Sequence, residues 1–272
     1  MRQPKGWKDA LVYLVLGVLA LVFVFPFIWM LMTALQSPAE AASGVIFPKV
    51  PQWSNFIKAW NSASFTRMFI NSVIMATTVT FGQIVTSALA GYAFARLNFI
   101  GKKWLFTLLL ATMVIPFQMI VIPVFIMLQK IGWIDTYMAL ITPSLANAFG
   151  IFLFRQFFVT VPYEIEEAAF IDGANRWQIL WRIMFPLARP AAVTLFLFTF
   201  IAEWNDLFKP LIFTQSEELR TVQFGLTIFQ EQFTTNYTLL MAAVILVTIP
   251  VLILFLVGQK QFIKGIATTG LK

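Results

Sequence analysis

Several polar side chains lie inside stretches of the chain that are otherwise apolar, and they are its first candidates for chemistry. A charge or an amide at membrane depth is costly unless it faces protein or water. Such residues therefore line a water-filled cavity or form structural contacts, and both alternatives stay open for this set. The set comprises Gln83, Gln118, Glu203, Asn205 and Asp206.

Glu203 lies deep in its apolar run, about 14 residues beyond Arg189, which corresponds to roughly 21 Å of helix. Asp206 and Lys209 follow at steps of three residues, on one helical face. This spacing predicts either a polar wall in the outer half of the span or a structural Asp206–Lys209 pair. The two glutamines offer amides that bond solute hydroxyls or a neighbouring helix.

The composition excludes several other kinds of chemistry. The sequence contains no Cys and no His, which removes thiol nucleophiles, disulfides, imidazole bases and the usual soft metal ligands. It contains no phosphate-binding sequence of the Walker type. The formal net charge of +7 comes from residues that flank apolar runs without forming a continuous patch, so we do not expect nucleic acid as a partner.

Long apolar runs must position the polar candidates. The chain is 60% hydrophobic and 11% charged, whereas a soluble domain carries roughly a quarter charged residues. Each run supplies the ~20 apolar residues that cross ~30 Å of hydrocarbon, and such unbroken length favours helices over barrel strands. The sequence therefore predicts an all-α polytopic membrane protein with six transmembrane helices. The runs are 10–39, 68–95, 104–129, 136–154, 190–213 and 232–259.

The distribution of Lys and Arg predicts the orientation. If the N-terminus is inside, the inner segments hold most of these residues, as the positive-inside rule requires. Six spans then place both termini in the cytoplasm. A signal peptide cleaved near 39–41 is an alternative, but the first apolar run is about twice as long as a signal core.

A charged, helix-prone segment interrupts the apolar runs on the predicted inner side. Acidic residues favour a helix start, small alanines favour close approach to a partner, and glycine permits a turn. The alternative is a solvated amphipathic linker with nothing docked on it. The marker residues are Glu166, Glu167, Ala168, Ala169, Asp172, Gly173, Ile183 and Pro186.

In its spacing this segment resembles the cytoplasmic coupling loop of permease subunits in binding-protein-dependent ATP-binding cassette (ABC) importers. Further similar stretches are 71–96, which ends in the run 88–96, then 204–206 and 259–265. The resemblance covers nearly the whole chain. It is to the carbohydrate-uptake subgroup, and within that to the shorter, maltose-type permease. Phe185 is a departure, since the family usually has Leu before this Pro.

The resemblance implies a type I ABC importer permease in a prokaryotic inner or plasma membrane. Residues 1–68 would form the first helix and an outer loop, with a short helix around 55–60. Residues 69–265 would form the transmembrane core with the coupling loop at 162–190, and 266–272 a cytoplasmic tail. A polar outer loop at 214–236 would face the binding protein.

The resemblance also implies the partners. They would be a second homologous permease, a cytoplasmic ATPase dimer that binds ATP–Mg, and an extracytoplasmic substrate-binding protein. The chain would bind no cofactor and carry no catalytic residue. Its solute would be an oligosaccharide, a polyol or a glycerol-phosphate-type compound.

A secondary transporter or channel subunit is the alternative function. It would also be polytopic, but it would be expected to carry intramembrane acid or base relays and would need no coupling helix. A membrane enzyme would need a convergent catalytic set, which the spans do not show.

Overall fold

The computed structural model describes residues 6–62, 64–232 and 236–269. The predicted outer loop 214–236 and tail 266–272 thus lie partly outside the described residues. Helices joined by short connections make up the described part, which contains no strand. They are α1 Trp7–Ala34, α2 Pro38–Ala42, α3 Ser54–Asn61, α4 Phe65–Arg96, α5 Lys102–Thr112, α6 Phe117–Lys130, α7 Tyr137–Ile141, α8 Ala148–Thr160, α9 Tyr163–Ile171, α10 Arg176–Ile179, α11 Phe185–Leu187, α12 Arg189–Trp204, α13 Phe208–Phe213, α14 Val222–Gln232 and α15 Tyr237–Thr269.

The described helices provide up to six membrane spans by length and composition. Three are single helices, Asp9–Ala34, Phe65–Arg96 and Tyr237–Gln259. The other three are pairs that pass the same test together but are bent by 101°, 41° and 76°. The pairs are Lys102–Thr112 with Phe117–Lys130, Tyr137–Ser144 with Ala148–Thr160, and Arg176–Leu187 with Arg189–Trp204.

The third and fifth apolar runs, like the bent fourth, differ from the single helices that the sequence predicts. The third is interrupted before Pro116, whose extended backbone caps α6. The fifth ends at Trp204, and the chain resumes as α13 only at Phe208. The prediction of one helix over 190–213 is therefore wrong, because a turn at Asn205–Leu207 separates Glu203 from Lys209.

The prediction of a polar loop at 214–236 also needs correction. A 3-10 turn covers Glu217–Leu219, and α14 then runs from Val222 to Gln232 with Gly225 inside it. Val222 is buried, and its backbone N–H donates to Ser72 Oγ at 2.9 Å. Apolar residues at helical spacing explain why this stretch is a helix despite its Gln and Thr content.

The chain divides into two compact units. The first contains the residues up to Phe65 together with Gly225–Ile249. In it, the buried Asn55 donates to the carbonyls of Ala34 and Gln36, both at 2.9 Å. Gln36 in turn donates to the carbonyls of Val45 and Ile46. Backbone groups at the end of α1 have no partner within the helix, and these bonds replace the missing ones. The segment after α1 is therefore a folded cap, and it includes the predicted short helix.

The second unit contains Thr66–Phe224 and the residues from Pro250 onward, and it holds the candidate sites. Its α4 and α8 approach closely at small residues. A Cβ added to Gly91 would lie 2.9 Å from the backbone nitrogen of Arg155, and one added to Gly150 would lie 2.3 Å from Ser87 Oγ. Ser87 and Gly91, small residues spaced four apart on α4, both lie at this close helix contact, as small-xxx-small spacing indicates.

Candidate functional site

Helix α9 carries the predicted coupling residues on two faces. Glu166 and Ala169 are buried, with 1% and 7% exposure, whereas Glu167 and Ala168 are exposed. A separation of three residues places the two buried side chains on one helical face, which packs against other helices of the second unit. The opposite face, which also includes Ile171 at 86% exposure, is available to a partner.

The buried Glu166 is held by the C-terminal end of α4. Its Oε2 accepts a hydrogen bond from the Tyr92 hydroxyl at 2.8 Å, and its Oε1 forms an ion pair with Arg96 Nε at 2.5 Å. Arg96 also donates to the carbonyl of Val161, just before α9. We call Tyr92, Arg96 and Glu166 the clamp. Because a buried charge is tolerated only when it is paired, the clamp fixes α9 against α4.

Sequence reasoning placed Glu166 in the coupling segment but did not find the clamp. Tyr92 and Arg96 lie in a stretch that supports the resemblance, where neither had an assigned role. An Arg at the inner end of one span, opposite a pair of adjacent acids, was the available signal. Spacing alone does not decide which of those acids turns inward.

A tight turn follows α9. Gly173 has φ +82°, in the left-handed region that favours glycine, and its N–H donates to the carbonyl of Phe170. Asp172 and Gly173 are exposed and border a small cleft of about 230 Å³ that Ile183 also lines. Pro186 is exposed further along, in α11. The docking roles of these residues stay predictions.

A second site is an open cavity of about 590 Å³ in the second unit. It brings together all five polar residues that the sequence singled out from separate runs, namely Gln83, Gln118, Glu203, Asn205 and Asp206. Ser144, Asn147 and Lys209 line it as well. Ser144 and Asn147 were missed, although both are polar residues within the fourth apolar run.

A buried ion cluster forms part of the cavity wall. Lys209 Nζ lies 2.6 Å from Glu203 Oε2 and 3.2 Å from Asp206 Oδ2, and it donates to Ser144 Oγ at 2.7 Å. Asp206 Oδ1 accepts the backbone N–H groups of Phe208 and Lys209, so this aspartate also caps α13. The turn at Asn205–Leu207 makes this possible by returning Lys209 toward Glu203.

The amides around the cavity have different environments. Gln83 is buried, donates to the carbonyl of Ser144 at 2.7 Å and accepts from Thr199 at 2.9 Å, so its bonds brace neighbouring helices. Asn205 is exposed, and it bonds Ile201 and Gln223. Gln118 is exposed at the cavity. Within the predicted set, the exposed side chains that line the cavity are therefore Gln118 and Asn205.

Asp135 forms a further polar contact outside the spans that the sequence did not reveal. Its Oδ1 accepts the backbone N–H groups of Gln215 and Ser216 at 2.8 and 2.9 Å. These bonds, led by that from Ser216, hold the pKa of Asp135 below its ordinary value. Its φ of +60° is tolerated by Asp better than by most residues. We call this contact the Asp135 latch.

The apolar helices, the broken spans and the polar cavity among them define a polytopic membrane protein of the transport class, with the type I ABC importer permease fold. The chain belongs to the family described as binding-protein-dependent transport system inner membrane component, which matches residues 83–267. It is thus a transport subunit of a binding-protein-dependent system, and the alternative of a secondary transporter or channel falls away.

Related proteins are similar to this chain along nearly its full length. The lactose transport system permease protein of Rhizobium radiobacter is 31% identical over 257 residues, which cover 94% of each chain. The sn-glycerol-3-phosphate transport system permease protein of Shigella flexneri is 32% identical and covers 93% of each. A crystal structure of a bacterial ABC transporter involved in the import of the acidic polysaccharide alginate matches with a TM-score of 0.83 and 25% identity, over 96% of this chain and 100% of the other.

Proposed function

We propose that this chain carries a sugar or sugar-like solute across the membrane through the 590 Å³ cavity. The observation that carries the proposal is the convergence of five predicted polar residues, from three apolar runs, on one open cavity within a permease fold. Solute sites are commonly cavities of about 300–1,000 Å³ with a few oriented polar groups. Phe117 and Phe208 also line the cavity and offer ring surfaces to the C–H faces of a sugar.

The names of the relatives support this class of solute. The related permeases belong to lactose, arabinooligosaccharide and sn-glycerol-3-phosphate transport systems. All three solutes are small or oligomeric compounds rich in hydroxyl groups. The amides of Gln118 and Asn147 at the cavity supply donors and acceptors that suit such groups.

The exposed face of α9 would pass motion from an ATPase to the spans. Glu167, Ala168 and Ile171 form a surface with a short acidic and apolar pattern, and small side chains let a partner backbone come close. The clamp would carry the displacement of α9 directly into α4, because both partners of its ion pair are buried. ATP–Mg would be bound by the ATPase subunits.

The remaining assignments follow from the same proposal. A second homologous permease would complete the pathway, and an extracytoplasmic binding protein would deliver the solute to the outer side. Both termini would be cytoplasmic, which places α9 on the side of the ATPase. Residues 1–68, the core 69–265 and the tail 266–272 would be the functional segments, with the coupling loop at 162–190.

The solute can be tested with the complete complex in proteoliposomes. A panel of sugars, polyols, amino acids and inorganic ions is offered with the binding protein, and ATP hydrolysis and uptake are measured together. We expect stimulation of both by a sugar or polyol. Stimulation by an amino acid or an ion alone would contradict the proposal.

The pathway can be tested at Asn205, because the sequence contains no native Cys. In the complex, Asn205→Cys should react with a small water-soluble thiol reagent, and modification should block uptake. The rate of reaction should differ between resting and nucleotide-trapped complexes, since alternating access changes which side wets the cavity. An inert thiol in both states would assign this region a structural role instead.

The docking face can be tested with two neighbouring alanines. Ala168→Cys is exposed and should form a crosslink to the ATPase, whereas Ala169→Cys on the buried face should not. The two substitutions add the same atom to the same helix, so they control for each other. Equal crosslinking of both, or of neither, would argue against docking through this face.

A further inference from the structure

The charges of the cavity carry information about the solute. Among the described residues that line it, two carboxylates, Glu203 and Asp206, accompany one cation, Lys209. The formal charge of the lining is therefore −1. A solute that enters this cavity meets no excess of positive charge.

The single cation already has partners within the protein, two of them carboxylates. An ammonium group has three N–H donors. Lys209 Nζ donates to Glu203 Oε2 at 2.6 Å and to Ser144 Oγ at 2.7 Å, and it forms an ion pair with Asp206 Oδ2 at 3.2 Å. A phosphate or carboxylate would have to compete with these partners for Lys209. Displacement would leave a buried carboxylate or hydroxyl without its partner, which costs more than a new pair returns.

Backbone donors near the cavity are occupied as well. The N–H groups of Phe208 and Lys209, at the start of α13, bond Asp206 Oδ1. Those of Phe149 and Gly150, at the start of α8, bond Asn147 Oδ1. Helix starts are common anion sites, but here side chains of the protein already fill them.

From this geometry we propose that the cavity admits neutral hydroxyl-bearing solutes, such as uncharged sugars or polyols, and disfavours anionic ones such as sugar phosphates or uronates. The exposed amide of Gln118 and the NH2 group of Asn147 would bind hydroxyls, and no charge need be neutralised. This inference rests on the proposed function in one respect, that the cavity is part of the solute pathway.

The charge argument can be measured without knowing the solute. Gln118→Cys introduces a thiol at an exposed position of the cavity, in the complete complex in nanodiscs. It is treated with thiosulfonate reagents of similar size, one cationic and one anionic, and both rates are divided by those for a simple thiol in solution. We expect the cationic reagent to react about tenfold faster after this correction, since local potential raises the concentration of the opposite charge.

A second variant tests the origin of the preference. Asp206→Asn keeps the oxygen that caps α13 but removes one negative charge, so the preference should shrink toward that of the free thiol. In parallel, a neutral oligosaccharide and a uronate oligosaccharide of equal length are tested for protection of the thiol. Only the neutral compound should slow the reaction.

The possible results separate the two proposals. An anionic reagent that reacts as fast as the cationic one, or equal protection by the uronate, would overturn the exclusion of anions and leave the pathway in place. A cation preference without protection by either sugar would overturn the pathway, and the solute class with it. A cation preference with protection by the neutral sugar alone supports both.

Discussion

The substitution Tyr92→Phe should weaken the clamp while leaving the packing around it intact. It removes the hydroxyl that donates to Glu166 at 2.8 Å and keeps the ring, which packs edge-on against Phe158. A hydrogen bond to a charged group contributes about 1.5–3 kcal/mol, and each 1.4 kcal/mol is a factor of ten. The population with α9 released from α4 should therefore rise about 10- to 100-fold.

The change should appear as lost coupling in the reconstituted complex. We expect fewer solute molecules transported per ATP hydrolysed, because α9 would move without α4. Glu166→Gln should be more severe, since it leaves Arg96 buried without its carboxylate, a loss of about 3–5 kcal/mol for a broken buried pair. Tyr163→Phe is the matched control, because it removes a hydroxyl from an exposed tyrosine next to the clamp.

The assay needs both assembly and transport to be measured. Size-exclusion profiles establish that the variant complex contains all its subunits, and uptake and hydrolysis are then followed in the same vesicles. If assembled Tyr92→Phe complex transports as much solute per ATP as the Tyr163→Phe control, the clamp is not a coupling element.

Three further predictions concern backbone positions and the Asp135 latch. Gly173→Asn should retain uptake and Gly173→Val should not. A Cβ at this position has open space, so the ability of the new residue to adopt the positive φ determines whether the turn forms. Equal uptake by the two variants would refute this. Gly91→Val should lower the unfolding temperature of the complex, because the added side chain would push α4 away from α8; such overpacking costs about 1–3 kcal/mol. Gly17→Val is the control and should lower the unfolding temperature much less, because Gly17 has open space around it. Asp135→Asn should be milder than Asp135→Ala in thermal unfolding, because Asn keeps an acceptor for the N–H groups of Gln215 and Ser216 and tolerates the positive φ. The pKa of Asp135 is lowered on folding, so its charge stabilises the folded protein at pH above the ordinary carboxyl pKa. The difference in unfolding temperature between wild type and Asp135→Asn should therefore vanish as the pH falls through the lowered pKa of Asp135.

The spans could be predicted because lipid imposes a simple requirement. An apolar run of sufficient length must form a helix, and the runs at 10–39, 68–95 and 232–259 contain long single helices. Pro116 marks the break in the third run, as a residue without a backbone N–H commonly does. These features depend on local sequence alone.

The geometry of the cavity could be predicted only in part. Polar residues in apolar runs identified five of its members, because membrane depth makes them costly elsewhere. The turn after Trp204 could not be predicted, since it depends on Lys209 reaching Ser144 in a different span. The inward turn of Glu166 likewise depends on Tyr92 and Arg96, which are distant in sequence.

The contact between α4 and α8 limits how the second unit can move. With Gly91 against the backbone at Arg155 and Gly150 against Ser87, sliding one helix past the other by a turn of 5.4 Å would bring larger side chains into spaces that hold none. We therefore expect the two helices to move together as one rigid body. If α9 were displaced at the clamp, α4 and α8 would then move together, and the bends of the second unit lie at the interrupted spans: before Pro116, at 145–147 ahead of α8, and at Ala188 between α11 and α12.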